Sequence, residues 1–167
     1  YNVLYQNEYC PTLAKNGKMI CLNIDSNVFC EKTYEKLAES FRYIIEHDGP
    51  FLVHCNEGKD RTGFYFILLE SLAGCSLSEI EEDYMKTFEN LYNIEKDSKQ
   101  YNFIAELTFK RLIWLMQNPD ALNSKDINWD NISIHSIDIR SDAMVFMLEK
   151  CYLTSEEIVN LLEKIKG

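Results

Sequence analysis

The segment His54-Cys55-Asn56-Glu57-Gly58-Lys59-Asp60-Arg61-Thr62-Gly63 gathers a thiol, two cations and two glycines into one short stretch. An apolar run, Phe51-Leu52-Val53, leads into it, and a strongly apolar stretch over 62–73 follows. That order suits a turn between a strand and a helix. Backbone N–H groups at such a turn converge on one anion, and the positive end of the next helix faces the same place. Arg61 adds a planar fork that fits two phosphate oxygens. A thiol near a helix N-terminus and a cation titrates at roughly 3.5–7.5 instead of about 8.5, so Cys55 is expected as a thiolate at neutral pH. A thiolate inside an anion cradle attacks the electrophile held there, and with a phosphate monoester the product is a phosphocysteine. Taken singly, a Cys after an apolar run packs, an Arg is solvated, and a His sits satisfied in a core. The joint spacing argues for chemistry.

The loop resembles the signature of the cysteine-based protein tyrosine phosphatase superfamily, His-Cys-x5-Arg-Ser/Thr, at His54, Cys55, Gly58, Arg61, Thr62 and Gly63. With Lys59-Asp60 ahead of the Arg, it is similar to bacterial tyrosine and phosphoinositide phosphatases related to the mycobacterial triple-specificity enzyme. Asp83-Tyr84-Met85-Lys86-Thr87-Phe88 and Tyr152-Leu153-Thr154-Ser155-Glu156-Glu157 also look like that family, so the likeness covers roughly residues 19–166. The resemblance implies that Cys55 is the nucleophile and that Arg61 binds phosphate and stabilises the transition state. It implies that Thr62 assists the sulfur as it leaves, and that His54 orients the loop and tunes the thiol. Residues 56–61 (Asn56, Glu57, Gly58, Lys59, Asp60, Arg61) then bind substrate, largely through backbone amides, with Gly63 in support. No metal and no cofactor are implied.

The general acid has two candidates. In this superfamily an Asp usually protonates the leaving oxygen from a loop about thirty residues before the Cys. Asp25 lies 30 residues before Cys55, after the apolar run 19–24. A capping or turn role suits it equally. Asp60, inside the loop, is the other candidate. Asp25 is taken as the working hypothesis. The substrate is also pulled two ways. Lys59 adds a cation that, in similar lipid and inositol phosphatases, helps bind a second phosphate, whereas Glu57 repels polyanions. Phosphotyrosine in proteins or peptides is therefore favoured over phosphorylated inositol, whether phosphoinositide or phytate. An inactive phosphate-binding pseudophosphatase, and a rhodanese-like or arsenate-reducing enzyme, are the competing classes. The last fits poorly, since no resolving Cys stands beside the loop.

The surrounding elements are read from periodicity and punctuation. Residues 19–24 read as a buried strand, 32–47 as an amphipathic helix ended by Gly49-Pro50, and 51–53 as a second strand. A helix over 62–73 follows, with Gly74 as its C-cap. Ser78 and Glu81 are read as a capping box for a helix reaching Tyr92. A long helix covers roughly 98–117. Residues 118–140 are irregular, with a strand near 132–137, and helices near 142–152 and 155–166 end the chain. Thr154 and Glu157 form a further capping box. Strand–helix–strand order implies a parallel sheet with right-handed crossovers. The expected fold is therefore α/β: a parallel-containing sheet flanked by helices, tyrosine-phosphatase-like, with a helix-rich C-terminal half. Residues 1–167 read as one catalytic domain. Because only Val3-Leu4-Tyr5 offers strand-like sequence near the start, upstream strands are expected to be missing.

Composition sets outer bounds. The chain has 167 residues and a formal net charge of -10, which disfavours nucleic acid and anionic lipid as partners. Six cysteines share no tight pairing and no zinc-ligand spacing. Most of them read as small buried hydrophobes in a reducing compartment, which places a cytoplasmic location ahead of a secreted one. No apolar stretch is long enough for membrane insertion.

Overall fold

Helices make the whole described architecture. The computed structural model describes residues 9–167 apart from 26, 124–126 and 136–137. Among the described residues the elements are α1 (Tyr9–Lys15), α2 (Glu31–Glu46), α3 (Asp60–Ala73), α4 (Leu77–Tyr92), α5 (Lys99–Ile104), α6 (Lys110–Gln117), α7 (Ile139–Glu149) and α8 (Ser155–Lys166). Short 3₁₀ turns lie at Pro119–Asn123 and Trp129–Asn131.

No strand forms among the described residues, which corrects the expected α/β fold with its parallel sheet. A strand exists only through its neighbour's ladder, and apolar character alone does not supply one. In 19–24, Asn23 takes a left-handed φ of 50°, which breaks an extended run. In 51–53, Leu52 is 88% exposed, so the run is not a buried one. Of the strand expected near 132–137, residues 132–135 are irregular and 136–137 lie outside the described residues. Val3-Leu4-Tyr5 also lies outside them. The helix α1, which no periodicity announced, ends before a turn at Gly17, whose φ is +68°.

Helix α3 is the centre because it is apolar almost all round. Phe64, Ile67, Leu68 and Leu72 are fully buried, as a core helix requires. It packs against α4, α7 and α8, while α2 packs along α8. Phe64 stands edge-on to Phe146 of α7 and tilts against Phe29, joining the loop before α2 to the core. Arg42 of α2 clasps Glu157 of α8, with Nε 2.6 Å from Oε1 and Nη2 3.4 Å from Oε2. That fork holds the Glu157 carboxyl far below the usual range, at about 2.

The capping chemistry is partly as expected. Gly74 closes α3 with φ +94°, and Thr154 and Glu157 form the box that opens α8. The box that opens α4 is Ser76 with Glu79, not Ser78 with Glu81. Both pairs fit the Ser-x-x-Glu spacing, but the abrupt left-handed stop at Gly74 leaves only two residues before α4 begins. The long helix over 98–117 carries a π-turn at Ala105–Phe109 between α5 and α6. There the Thr108 hydroxyl donates to the Ile104 carbonyl at 2.7 Å, a bond that competes with the regular ladder. Residues 129–131 are pinned to α6, with Trp129 edge-on to Trp114 and the Arg111 guanidinium 4.9 Å from its ring centroid. Among the described residues, no helix is long and apolar enough to cross a membrane.

Candidate active site

Cys55 sits immediately ahead of the central helix, and the helix start is built around its sulfur. Lys59 is the N-cap of α3 yet makes no side-chain capping bond. The orphan donors of a first turn need partners. Here the Thr62 N–H, from that first turn, and the Glu57 and Gly58 N–H groups from the loop turn to the thiol, with Gly58 N 3.2 Å from Sγ. Gly58 permits this by adopting φ +76°, a region where other residues are strained.

Burial pushes the Cys55 thiol up, and hydrogen bonding overcomes it. The Thr62 hydroxyl and the N–H groups of Thr62, Glu57 and Gly58 favour the thiolate and bring it down from 9.0 to about 7. The hydroxyl acts as a dipole facing the sulfur. Its Oγ1 is buried and has no hydrogen-bond partner in good geometry at rest. Other cysteines behave oppositely: burial pushes Cys151 up to about 12, and burial with the carboxylates of Glu70, Glu79 and Asp83 raises Cys75. Alkylation by iodoacetamide, read on the Cys55 peptide by mass spectrometry, is therefore expected to rise with a midpoint near pH 7. Thr62→Val moves that midpoint upward, because the thiolate loses a stabilising dipole. A wild-type midpoint at an ordinary thiol value of about 8.5 would contradict the geometry.

Arg61 is part-buried, and its Nη1 donates to the Ile24 carbonyl at 3.2 Å. That bond uses one of five donors and orients the fork. It also ties the residue before Asp25 to the loop. The Asp25 carboxylate accepts from the Asn27 N–H at 3.0 Å, a turn bond of the kind Asp favours. Asp60 is the first residue of α3 and is exposed. Asn56 is exposed as well. His54 is exposed, with Nδ1 3.2 Å from the Cys55 carbonyl oxygen, and it is not among the groups that set the thiol.

Glu57 and Lys59 meet at the rim. Lys59 Nζ lies 2.8 Å from Glu57 Oε2, and each affects the other: the carboxyl is held low and the ammonium is held charged. Tyr92, from the end of α4, donates to the same Oε2 at 2.9 Å. The loop rim thus contains a residue that sequence reasoning had not marked. Tyr92 had appeared only as a helix end.

Helix α4 is seated on the loop by a second tyrosine. A Cβ added at Gly63 would stand 2.6 and 2.8 Å from ring carbons of Tyr84, closer than such atoms approach. Gly63 therefore lets α3 and α4 touch. Gly63→Ala is expected to lower stability by about 1–3 kcal/mol, as overpacking does, read as a lower urea midpoint with unchanged slope. A cleft of about 260 Å³ runs between the two helices from Gly58 and Thr62 to Glu70 and Asp83. Burial first, and then the Asp83 charge with a shared hydrogen bond, push the Glu70 carboxyl up to about 8. A lone carboxylate inside the apolar stretch 62–73 was the available signal for this pair. A larger open depression of about 730 Å³ lies where α4 and α7 begin, between Cys75 and Arg140, and shares no residue with the loop. Among the described residues, no group of three or more His, Cys, Asp or Glu side chains is gathered as metal ligands would be.

Comparison with known proteins places the sequence in a family. Residues 17–165 match the sequence model of the tyrosine phosphatase family. A tyrosine-protein phosphatase from Nostoc commune is 41% identical over 59 residues, a stretch that makes up 35% of this chain and 20% of that relative. No solved structure matches. The family match spans nearly the whole chain and includes the complete loop around Cys55, and on that ground the chain belongs to the tyrosine phosphatase family.

Proposed function

We propose that this chain is a phosphomonoester hydrolase acting on phosphotyrosine in proteins or peptides, through a phosphocysteine on Cys55. The observation that supports the reading is the Gly58 N–H 3.2 Å from the Cys55 sulfur just ahead of α3, where the Thr62 hydroxyl and the N–H groups of Thr62, Glu57 and Gly58 bring the thiol down to about 7. In the first step the Cys55 sulfur attacks phosphorus and the bond to the tyrosyl oxygen breaks. Arg61 and the loop amides hold the three equatorial oxygens, where charge builds. In the second step water attacks phosphorus and gives its proton to the carboxylate left by the first step, the P–S bond breaks, and the Thr62 hydroxyl donates to the departing sulfur.

Asp25 is assigned as the proton donor to the tyrosyl oxygen. The bond from the Arg61 guanidinium to the Ile24 carbonyl supports this, because Asp25 is the next residue along the chain. Asp25→Asn is expected to lower kcat by about 10²–10³-fold for an alkyl phosphate, and by less for a nitrophenyl phosphate whose leaving group needs no proton. Asp60→Asn is expected to have little effect. The reverse ranking would transfer the role to Asp60. The substrate assignment itself is tested by comparing turnover of a phosphotyrosine peptide with that of a soluble phosphoinositide. The peptide is expected to have the higher kcat/KM, and a preference for the phosphoinositide would overturn the reading.

A further inference from the structure

We infer that Glu57, Lys59 and Tyr92 form a charge-neutral clamp that makes the loop discriminate against substrates carrying a second phosphate. The inference rests on the phosphatase reading above and adds a specificity device to it. The loop offers two cations, Lys59 and Arg61. Arg61 belongs to the reacting phosphate, so within the loop Lys59 is the cation left for a second one. The clamp holds that cation elsewhere. Its Nζ is 2.8 Å from Glu57 Oε2, 3.4 Å from the Tyr92 hydroxyl, and 5.6 Å from the centroid of the Tyr92 ring. The Tyr92 hydroxyl in turn donates to Glu57 Oε2 at 2.9 Å, so one carboxylate oxygen gathers both partners.

Tyr92 is the positioning residue of this trio. It comes from the last position of α4, and α4 is fixed against the loop by the Tyr84 ring on Gly63. The carboxylate is therefore hydrogen-bonded to the end of a helix packed on the loop. A polyphosphate approaching the rim meets the negative charge of Glu57 and a lysine already paired. A monophosphate needs neither group, since the amides and Arg61 suffice. An ion pair this exposed is worth about two- to fivefold in binding, and removal of the repelling carboxylate adds to that.

The test compares wild type, Glu57→Gln, Tyr92→Phe and the double variant Glu57→Gln/Lys59→Met. Two quantities are measured: kcat/KM for a phosphotyrosine peptide and for myo-inositol hexakisphosphate, and the Kd of the latter by calorimetry. Glu57→Gln is expected to tighten the hexakisphosphate Kd and raise its kcat/KM relative to the peptide by about five- to tenfold. The change falls mainly in KM, because Lys59 binds and does no chemistry. Tyr92→Phe keeps the ring, loses the hydroxyl, and is expected to shift the ratio in the same direction by about twofold. The double variant returns the ratio to the wild-type value or below. An unchanged Kd and ratio in Glu57→Gln overturns the clamp, as does a gain that survives loss of Lys59. A wild type that turns over neither substrate overturns the phosphatase reading instead, and the Kd comparison still decides the clamp.

Discussion

Cys55→Ser is expected to abolish turnover, lowering kcat for a phosphotyrosine peptide by about 10⁴-fold or more. The substitution is nearly isosteric, so the loop keeps its form and the N–H groups of Glu57, Gly58 and Thr62 keep a partner. What changes is ionisation. The thiol is brought down to about 7, so thiolate is available at neutral pH, whereas a serine hydroxyl stays protonated. The same four donors cannot close that gap, and no general base stands next to the nucleophile among the groups that act on it. Phosphate binding should survive, because the cradle and Arg61 remain. The expected pattern is thus a collapsed kcat with a phosphate Kd within about threefold of wild type. A serine variant retaining more than about one hundredth of wild-type kcat would remove Cys55 from the chemistry.

Arg61→Ala is expected to lower kcat/KM by about 10³-fold, with Arg61→Lys falling between that and wild type. Two losses combine. The first is the planar fork, whose paired N–H groups match the oxygens of a transferring phosphate, while a lysine restores only the charge. The second is the bond from Nη1 to the Ile24 carbonyl at 3.2 Å, which orients the segment leading to Asp25. Because of the second loss, the alanine variant should also lose part of the acid assistance. Its rate will depend more steeply on the leaving group's acidity than wild type does. A series of aryl phosphates measures this. Equal slopes in wild type and variant would mean that the Ile24 tether does not serve the acid.

Legibility in the sequence followed range along the chain. The candidate loop was readable because its thiol, cations and glycines are packed into ten consecutive positions, from His54 to Gly63. The Gly74 stop and the Thr154–Glu157 box were readable for the same reason, since caps are local. The sheet was not. A short apolar run such as Phe51-Leu52-Val53 says that a segment is apolar, and only a partner's ladder makes it a strand. The relations that shape the site span 33 residues from Lys59 to Tyr92 and 37 from Ile24 to Arg61, and no periodicity encodes them. Gly63 sits between these cases. Its presence was visible, but its reason, contact with the Tyr84 ring, needed α4 in place. The opposing pulls of Lys59 and Glu57 on substrate choice likewise became one ion pair only in three dimensions.

A single turnover with a phosphotyrosine peptide, quenched in acid and followed by mass spectrometry of the Cys55 peptide, tests the central claim most directly. The account predicts phosphate on Cys55 within the first turnover, its decay as inorganic phosphate appears, and no such adduct in Cys55→Ser. Peptide hydrolysis that proceeds at the wild-type rate with no phosphate on Cys55, or with phosphate on another residue, would contradict it.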